Sequence, residues 1–340
     1  MNCLNHSGLK VHLGRFSLTM RILITGGFGF VGGRTAVHLA QAGHQIILGS
    51  RNVNTPPSWL PQAAVVKADW HDDRSLGHSC SGVDVVIHAA GMNAQDCSAD
   101  PVVALEVNGV GTARLVAAAS RAGVKRFIYL STAHVYASPL AGAITEETCP
   151  RNLHPYATSH LAGEHAVLNP DRRGQIEGIV LRLSNAFGAP MQKEVNCWML
   201  LVNDLCQQAV QTRKLVLRTS GLQQRDFVSI DNICRVTEYF ATAHSDSRCS
   251  GVFNIGTGVS QTVLDMALLI QQRCAYVLGF EPTLQRPNDG ADESNPMLYY
   301  RADRLVAINI HANGDANIAE IDNLLCFCYS TFTHTKSPDA

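Results

Sequence analysis

Charge is what this 340-residue chain has least of: 27 Lys and Arg stand against 28 Asp and Glu, so the net charge is −1 and charged residues make up only 16%. A polyanion or an acidic membrane surface needs a basic face to bind, so nucleic acid and membrane are disfavoured as partners. The eleven cysteines contain no Cys-x-x-Cys pair, and the nearest couple, Cys326 and Cys328, alternate in an apolar stretch. Reduced, buried thiols in a cytoplasmic setting fit this pattern better than zinc or disulfides, and no metal is expected. Met1 to Thr19 holds Lys10 and Arg15 but no acid and no apolar run of secretory length; no later stretch reaches the apolar length of a membrane span. Residues 1–19 are expected as a disordered tail ahead of Met20, with a short organelle-targeting peptide as the alternative. Internal repeats and low-complexity tracts are also lacking.

What the chain does have is glycine in a telling place. Thr25 to Gly32 reads Thr-Gly-Gly-Phe-Gly-Phe-Val-Gly between an apolar run from Arg21 and a segment in which Val31, Thr35, Ala36, Leu39 and Ala40 recur at helical spacing. The glycines therefore join a strand to a helix. Gly26 lets the chain turn, Gly29 lets backbone approach a pyrophosphate, and Gly32 lets the helix pack close to the sheet, with the helix N-terminus facing the negative charge. A dinucleotide is the ligand this turn suits.

The rest of the first half repeats the strand and helix alternation. Gln45 to Leu48, Ala64 to Lys67, Val83 to Ala89 and Arg126 to Ser131 read as strands, and Val102 to Ala122 as an alanine-rich helix. The pattern predicts an α/β fold with a doubly wound parallel sheet and a smaller C-terminal substrate lobe. A helix is expected from Pro155 to Asn169, stopped by Pro170, then a strand from Ile179 to Leu183. Residues 20–185 form the expected dinucleotide-binding domain, 186–325 the substrate lobe with returning elements, and 326–340 a tail. Within the lobe, 186–232 and 278–300 read as loop-rich, with helices near 231–243 and 262–274 and a strand from Val252 to Ile255.

Seven motifs in order give the chain a resemblance to the extended short-chain dehydrogenase/reductase family, in its nucleotide-sugar epimerase/dehydratase branch. They are the glycine turn, Ala68-Asp69, His88-Ala89-Ala90-Gly91, Asn108, Ser131-Thr132-Ala133-His134-Val135-Tyr136, Tyr156 opening a helix, and the pair Arg182 to Gly188 with Arg225 to Asp231. The resemblance covers about residues 20 to 310. It implies a Rossmann fold, a cofactor site at Gly26, Phe28, Gly29, Phe30, Val31, Gly32, Ser50, Arg51, Asp69, Trp70, Ala89, Ala90 and Gly91, and Asn108 supporting the helix behind it. Taken singly, Asp69 also suits a helix cap and Asn108 a satisfied core polar group. Tyr156 holds the position of the phenol that exchanges a proton with a sugar hydroxyl, and Thr132 that of the hydroxyl beside it. Asn185, Arg225 and Arg286 match positions that hold a nucleotide diphosphate, and a homodimer through two helices is common in the family.

Three departures shape the expected chemistry. The family's lysine, four residues after the tyrosine, is His160 here, which shares catalytic and cofactor duties with Tyr156. An imidazole near its ordinary pKa of ~6.5 is only about a quarter protonated at pH 7, so the tyrosine loses the cation that would make it a base. As a proton donor in reduction it needs no such help. The Asp-Glu pair that follows the hydroxyl residue in 4,6-dehydratases is Ala133 and His134, which disfavours dehydration and leaves His134 as a candidate substrate-facing acid or base. At the second strand the acid that grips the adenosine ribose is missing and Gly49, Ser50 and Arg51 follow Leu48, so NADP is preferred and NAD is the alternative. The expected activity is hydride transfer at a ring carbon of a nucleotide-linked sugar, as 4-ketoreductase or epimerase. The rival reading is a catalytically weakened dinucleotide-binding protein with a sensing or partner role.

Overall fold

The structure, a computed structural model, describes residues 19–52, 55–243, 249–287 and 296–333; most of the expected N-terminal tail lies outside the described residues. The first half runs β1 (Arg21–Thr25), α1 (Phe30–Gln41), β2 (Gln45–Ser50), β3 (Ala64–Lys67), α2 (Asp73–Ser79), β4 (Val85–His88), α3 (Ala94–Ala99), α4 (Pro101–Ala104), a π-helical stretch (Leu105–Gly111) leading into α5 (Thr112–Arg121), and β5 (Arg126–Thr132). It continues with β6 (Gly142–Ile144), α6 (Pro155–Arg172), β7 (Glu177–Leu183), β8 (Asn185–Phe187), α7 (Leu201–Thr212), β9 (Lys214–Val216), β10 (Gln224–Ser229) and α8 (Ile230–Thr242). The last part comprises β11 (Gly251–Ile255), β12 (Ser260–Thr262), α9 (Val263–Leu278), β13 (Thr283–Gln285), β14 (Leu298–Tyr300), α10 (Asp303–Ala307) and α11 (Gly314–Phe332).

Seven parallel strands make the main sheet in the order β11-β7-β5-β4-β1-β2-β3. Because the order reverses between β1 and β4, the carboxyl ends of those two strands splay apart and leave a crevice there. Strands such as β1 and β5 are near-continuous apolar runs because helices cover both faces of the sheet. The lobe has its own core, in which Val202, Leu205, Ala209, Ile270, Ile321 and Leu325 interlock. One buried ion pair joins lobe to sheet: Arg34 on α1 donates to both oxygens of Glu320 on α11, at 2.8 and 3.0 Å.

Several expectations are corrected. Pro170 does not stop α6, which runs to Arg172; proline in the last turn forfeits one backbone hydrogen bond, and the Arg173 N–H closes the turn on the Pro170 carbonyl at 3.1 Å. The loop-rich reading of 186–232 conceals α7, and the tail expected from 326 is the end of α11 through Phe332. There Cys328 is buried and Cys326 exposed, as residues two apart on a helix should be. Pro101–Arg121 is, against expectation, long and apolar enough to cross a membrane, with 21 residues and a mean hydropathy of 1.4, but half of its apolar window is buried in the fold.

The contact that fixes α6 to the sheet is ionic and dry. Glu164, 0% exposed, accepts from Arg182 Nε at 2.9 Å and Nη2 at 2.5 Å, and from the Ser131 hydroxyl at 2.6 Å. Arg182 in turn lies 4.7 Å above the Tyr136 ring. Removing one partner leaves the other buried charge uncompensated, which costs about 3–5 kcal/mol. Glu164→Ala is therefore expected to lower the unfolding free energy by about that much in urea titration; a loss below about 1 kcal/mol would mean the pair does not anchor the helix.

Candidate active site

A groove of about 450 Å³ opens at the β1/β4 switch point, lined by Gly26, Phe28, Gly29, Gly49, Ser50, Arg51, Ala68, Trp70, Ala89, Ala90, Gly91 and Met92 among others. Its floor tolerates no side chains. Gly26 has φ of +71° and a Cβ there would fall 2.6 Å from the Ala90 nitrogen, while one on Gly32 would fall 2.3 Å from the Gly26 carbonyl oxygen. The Gly29 N–H bonds the Gly26 carbonyl at 2.9 Å, and α1 then begins with no side-chain cap and no acid in its first turn. Open amides at a helix N-terminus beside bare backbone suit a pyrophosphate, so these residues fit a dinucleotide. Phe30 and Val31 pack against the core of the sheet and do not line the groove.

At the adenosine end, Arg51 is exposed, and no hydrogen bond or ion pair joins its guanidinium to another described residue. A Cβ on Gly49 would lie 3.2 Å from a Thr25 methyl and 3.3 Å from the Ala68 side chain, so an acid there would be crowded. Asp69 does not line the groove: its carboxylate accepts from the His71 N–H at 3.1 Å and sits 3.4 Å from the Lys67 ammonium, which together hold its pKa below the usual range, the His71 bond foremost.

Behind the groove runs a buried polar chain. Thr112 donates to the Asn108 carbonyl at 2.6 Å, so its oxygen must accept from His88 Nε2 at 2.9 Å; His88 Nδ1, 2.6 Å from Thr25 Oγ1, is then the acceptor there. His88 is thereby held neutral in one tautomer, and burial, with His160 nearby, pushes its pKa down to about 3. The π-helical stretch turns the Asn108 side chain inward, where Oδ1 accepts from the Met92 N–H at 2.9 Å and Nδ2 donates to Ser159 at 3.0 Å. Asn108 thus supports the loop after β4 and helix α6.

Tyr156, Ser159, His160, Gly163 and Glu164 share one face of α6, and His154 caps the helix by accepting from the Tyr156 N–H at 3.1 Å. The rings of Tyr156 and His160 meet edge to face at 4.6 Å. Burial raises the Tyr156 pKa and the Thr132 hydroxyl beside it opposes that rise; no cation contributes. Thr132, at the end of β5, accepts from the His134 N–H at 3.1 Å, which leaves its own hydrogen for the phenol or for a reacting oxygen. His160 is 6% exposed, its pKa is lowered to about 4 by burial, and Nδ1 lies 2.9 Å from the Tyr129 hydroxyl. At neutral pH the site contains an un-ionised phenol and an un-ionised imidazole.

On the lobe side, burial lowers the Arg225 pKa with no carboxylate among the described residues to offset it, and the hydrogen bond its guanidinium makes to Asn185 Oδ1 is a long one, 3.4 Å. Asn185 is held by donating to the Asp226 carbonyl at 2.9 Å. His134 lies within the field of Arg225, and burial, that cation and His154 lower its pKa, so it too is neutral at pH 7. Arg286 is exposed and donates to the Ser220 carbonyl at 3.0 Å; no contact joins it to Arg225. Tyr129 and Glu164 were not legible as site residues. One lies inside an apolar strand run and the other has the look of a solvated helix acid.

The model of the NAD dependent epimerase/dehydratase family matches residues 22–256. The chain belongs to that family. Among its relatives, dTDP-D-glucose 4,6-dehydratase of Mus musculus is 29% identical over 265 residues, covering 74% of this chain and 72% of that one. The putative UDP-glucose 4-epimerase of Methanocaldococcus jannaschii is 25% identical over 275 residues, covering 79% and 87%. In fold the chain is similar to the UDP-glucose 4-epimerase of Thermotoga maritima solved with UDP-glucose, with a TM-score of 0.76 at 21% identity over 92% of this chain and 99% of that one. The Rossmann-type sheet and the NAD-dependent family are thus shared with both epimerases and dehydratases.

Proposed function

We propose that this family member reduces a ring ketone of a nucleotide-linked sugar, using NADPH. The observation that carries the reading is the neutrality of the site: Tyr156 has a raised pKa, His160 a lowered one, and no cation among the described residues shifts the phenol. A tyrosine in that state is a ready proton donor and a poor base, so the direction favoured is reduction. A bound reduced nicotinamide supplies the hydride to the carbonyl carbon. Tyr156 gives its phenolic proton to the carbonyl oxygen, Thr132 holds the resulting phenolate by a hydrogen bond, and solvent returns the proton. Epimerisation needs the same phenol to remove a proton as well, which this environment opposes.

Dehydration is disfavoured because Ala133 and the neutral His134 follow Thr132, so neither residue offers a carboxylate to take the proton beside the departing hydroxyl. Arg225, a cation with no carboxylate partner among the described residues, supports a diphosphate as the substrate's anionic part, with Asn185 beside it. Arg286 would serve as a second arm. Gly49 and Arg51, whose guanidinium has no partner among the described residues, support a ribose 2′-phosphate over a free hydroxyl. The exposed Val102, Leu105 and Val110 on the helix spanning 101–121 support a homodimer.

Two outcomes are expected. In fluorescence titration NADPH binds at least several-fold more tightly than NADH, and Arg51→Ala removes the difference; equal affinities in the unaltered chain would contradict the cofactor reading. With a panel of 4-keto nucleotide sugars, Tyr156→Phe abolishes NADPH oxidation, Thr132→Ala costs less, and His160→Lys accelerates the reverse oxidation more than the reduction by placing a cation beside the phenol. If no panel member reacts until His160→Lys is introduced, the chain is the catalytically weakened binding protein instead.

A further inference from the structure

His160 presents two unlike edges. Nδ1 faces the Tyr129 hydroxyl at 2.9 Å, deep between α6 and β5. The Cε1–Nε2 edge lies over Gly91, where a Cβ added to that glycine would be 3.6 Å from Cε1 and 3.8 Å from Nε2, and Gly91 lines the groove. Nε2 has no hydrogen-bond partner among the described residues. Across Gly91 that edge faces the groove.

The partner of Nδ1 decides what Nε2 can do. Tyr129 is completely enclosed, and burial, with Glu164 and Tyr156 nearby, keeps its phenol protonated. A buried O–H without an acceptor is costly, whereas a phenol oxygen with idle lone pairs is not. Thr112, which also lies beside the phenol, already gives its hydrogen to the Asn108 carbonyl and accepts from His88. His160 Nδ1 is the one group among the described residues that meets the Tyr129 hydroxyl in hydrogen-bond geometry, at 2.9 Å, so it is the acceptor the Tyr129 hydrogen needs. Gly163 keeps the geometry tight, since a Cβ there would fall 2.7 Å from the same hydroxyl.

We propose that Tyr129 is a positioning residue: its O–H donates to His160 Nδ1, which locks the imidazole as the Nε2–H tautomer and aims that N–H into the groove as a neutral donor to a hydroxyl of the bound dinucleotide. The proposal rests on the dinucleotide part of the functional reading and not on any particular sugar.

The test is histidine-labelled NMR of the full chain, with the His160 ring assigned by comparison with His160→Gln. The expected ring ¹⁵N and ¹³Cδ2 shifts are those of the Nε2–H tautomer, with and without NADPH; an Nδ1–H pattern in the unaltered chain overturns the proposal without recourse to any variant. In Tyr129→Phe the signals should move to a tautomer mixture and the Kd for NADPH should rise several-fold, while kcat for reduction falls less than the affinity does. A folded Tyr129→Phe protein with the tautomer and Kd unchanged would also overturn it. Because tautomer and binding are read without turnover, a chain that shows both but reduces no sugar would refute the catalytic reading alone.

Discussion

The Glu164 carboxylate, clamped by Arg182 and Ser131, sets the rotation of α6, and the candidate site depends on that rotation. Tyr156, His160 and Glu164 succeed one another at four-residue intervals on one helix face, so a helix pinned at Glu164 can present only that face to the end of β5. The same strand contributes Ser131 to the clamp and Thr132 to the site. A buried ion pair is an expensive way to hold a helix, since its desolvation offsets much of its attraction, but a displaced charge is worse, and this gives the orientation its uniqueness.

Around that anchor the site is polar but uncharged. His88 and His160 are both held neutral by burial, Tyr129 and Tyr156 stay protonated, and Asn108 and Thr112 satisfy the hydrogen bonds that remain. Charge enters from the lobe side instead, where Arg225 stands half-buried with no counter-ion among the described residues. The division suits a substrate with an anionic handle at one end and a reacting ring at the other, the handle meeting the cation and the ring the neutral phenol.

Much of this was legible in the sequence where a residue's role is local. The glycine turn could be read because the absence of a Cβ at Gly26, Gly29 and Gly32 has an immediate steric meaning, and the buried strands because parallel sheets show as unbroken apolar runs. The substitution of His160 for lysine was visible, but its consequence was not, since that depends on Tyr129, which comes from a different element thirty-one residues earlier. Glu164 looked like any helix acid, and only the sheet opposite reveals it as buried. Helix α7 went unread although Val202, Leu205, Cys206 and Ala209 carry the three-and-four spacing, because Asn203, Asp204 and the two glutamines between them mimic a polar loop. Asp69 shows the reverse case: a motif position whose side chain is consumed by its own turn.

The account's central claim, a neutral Tyr156 acting as proton donor, is tested most directly by the pH profile of the chemical step. Single-turnover hydride transfer from NADPH to a 4-keto nucleotide sugar should be nearly constant from about pH 6 to 9 and fall only where the raised pKa of the phenol is reached, above ~10. A rate that instead falls through pH 7 to 8, as an ionising tyrosine activated by a nearby cation would give, would contradict it.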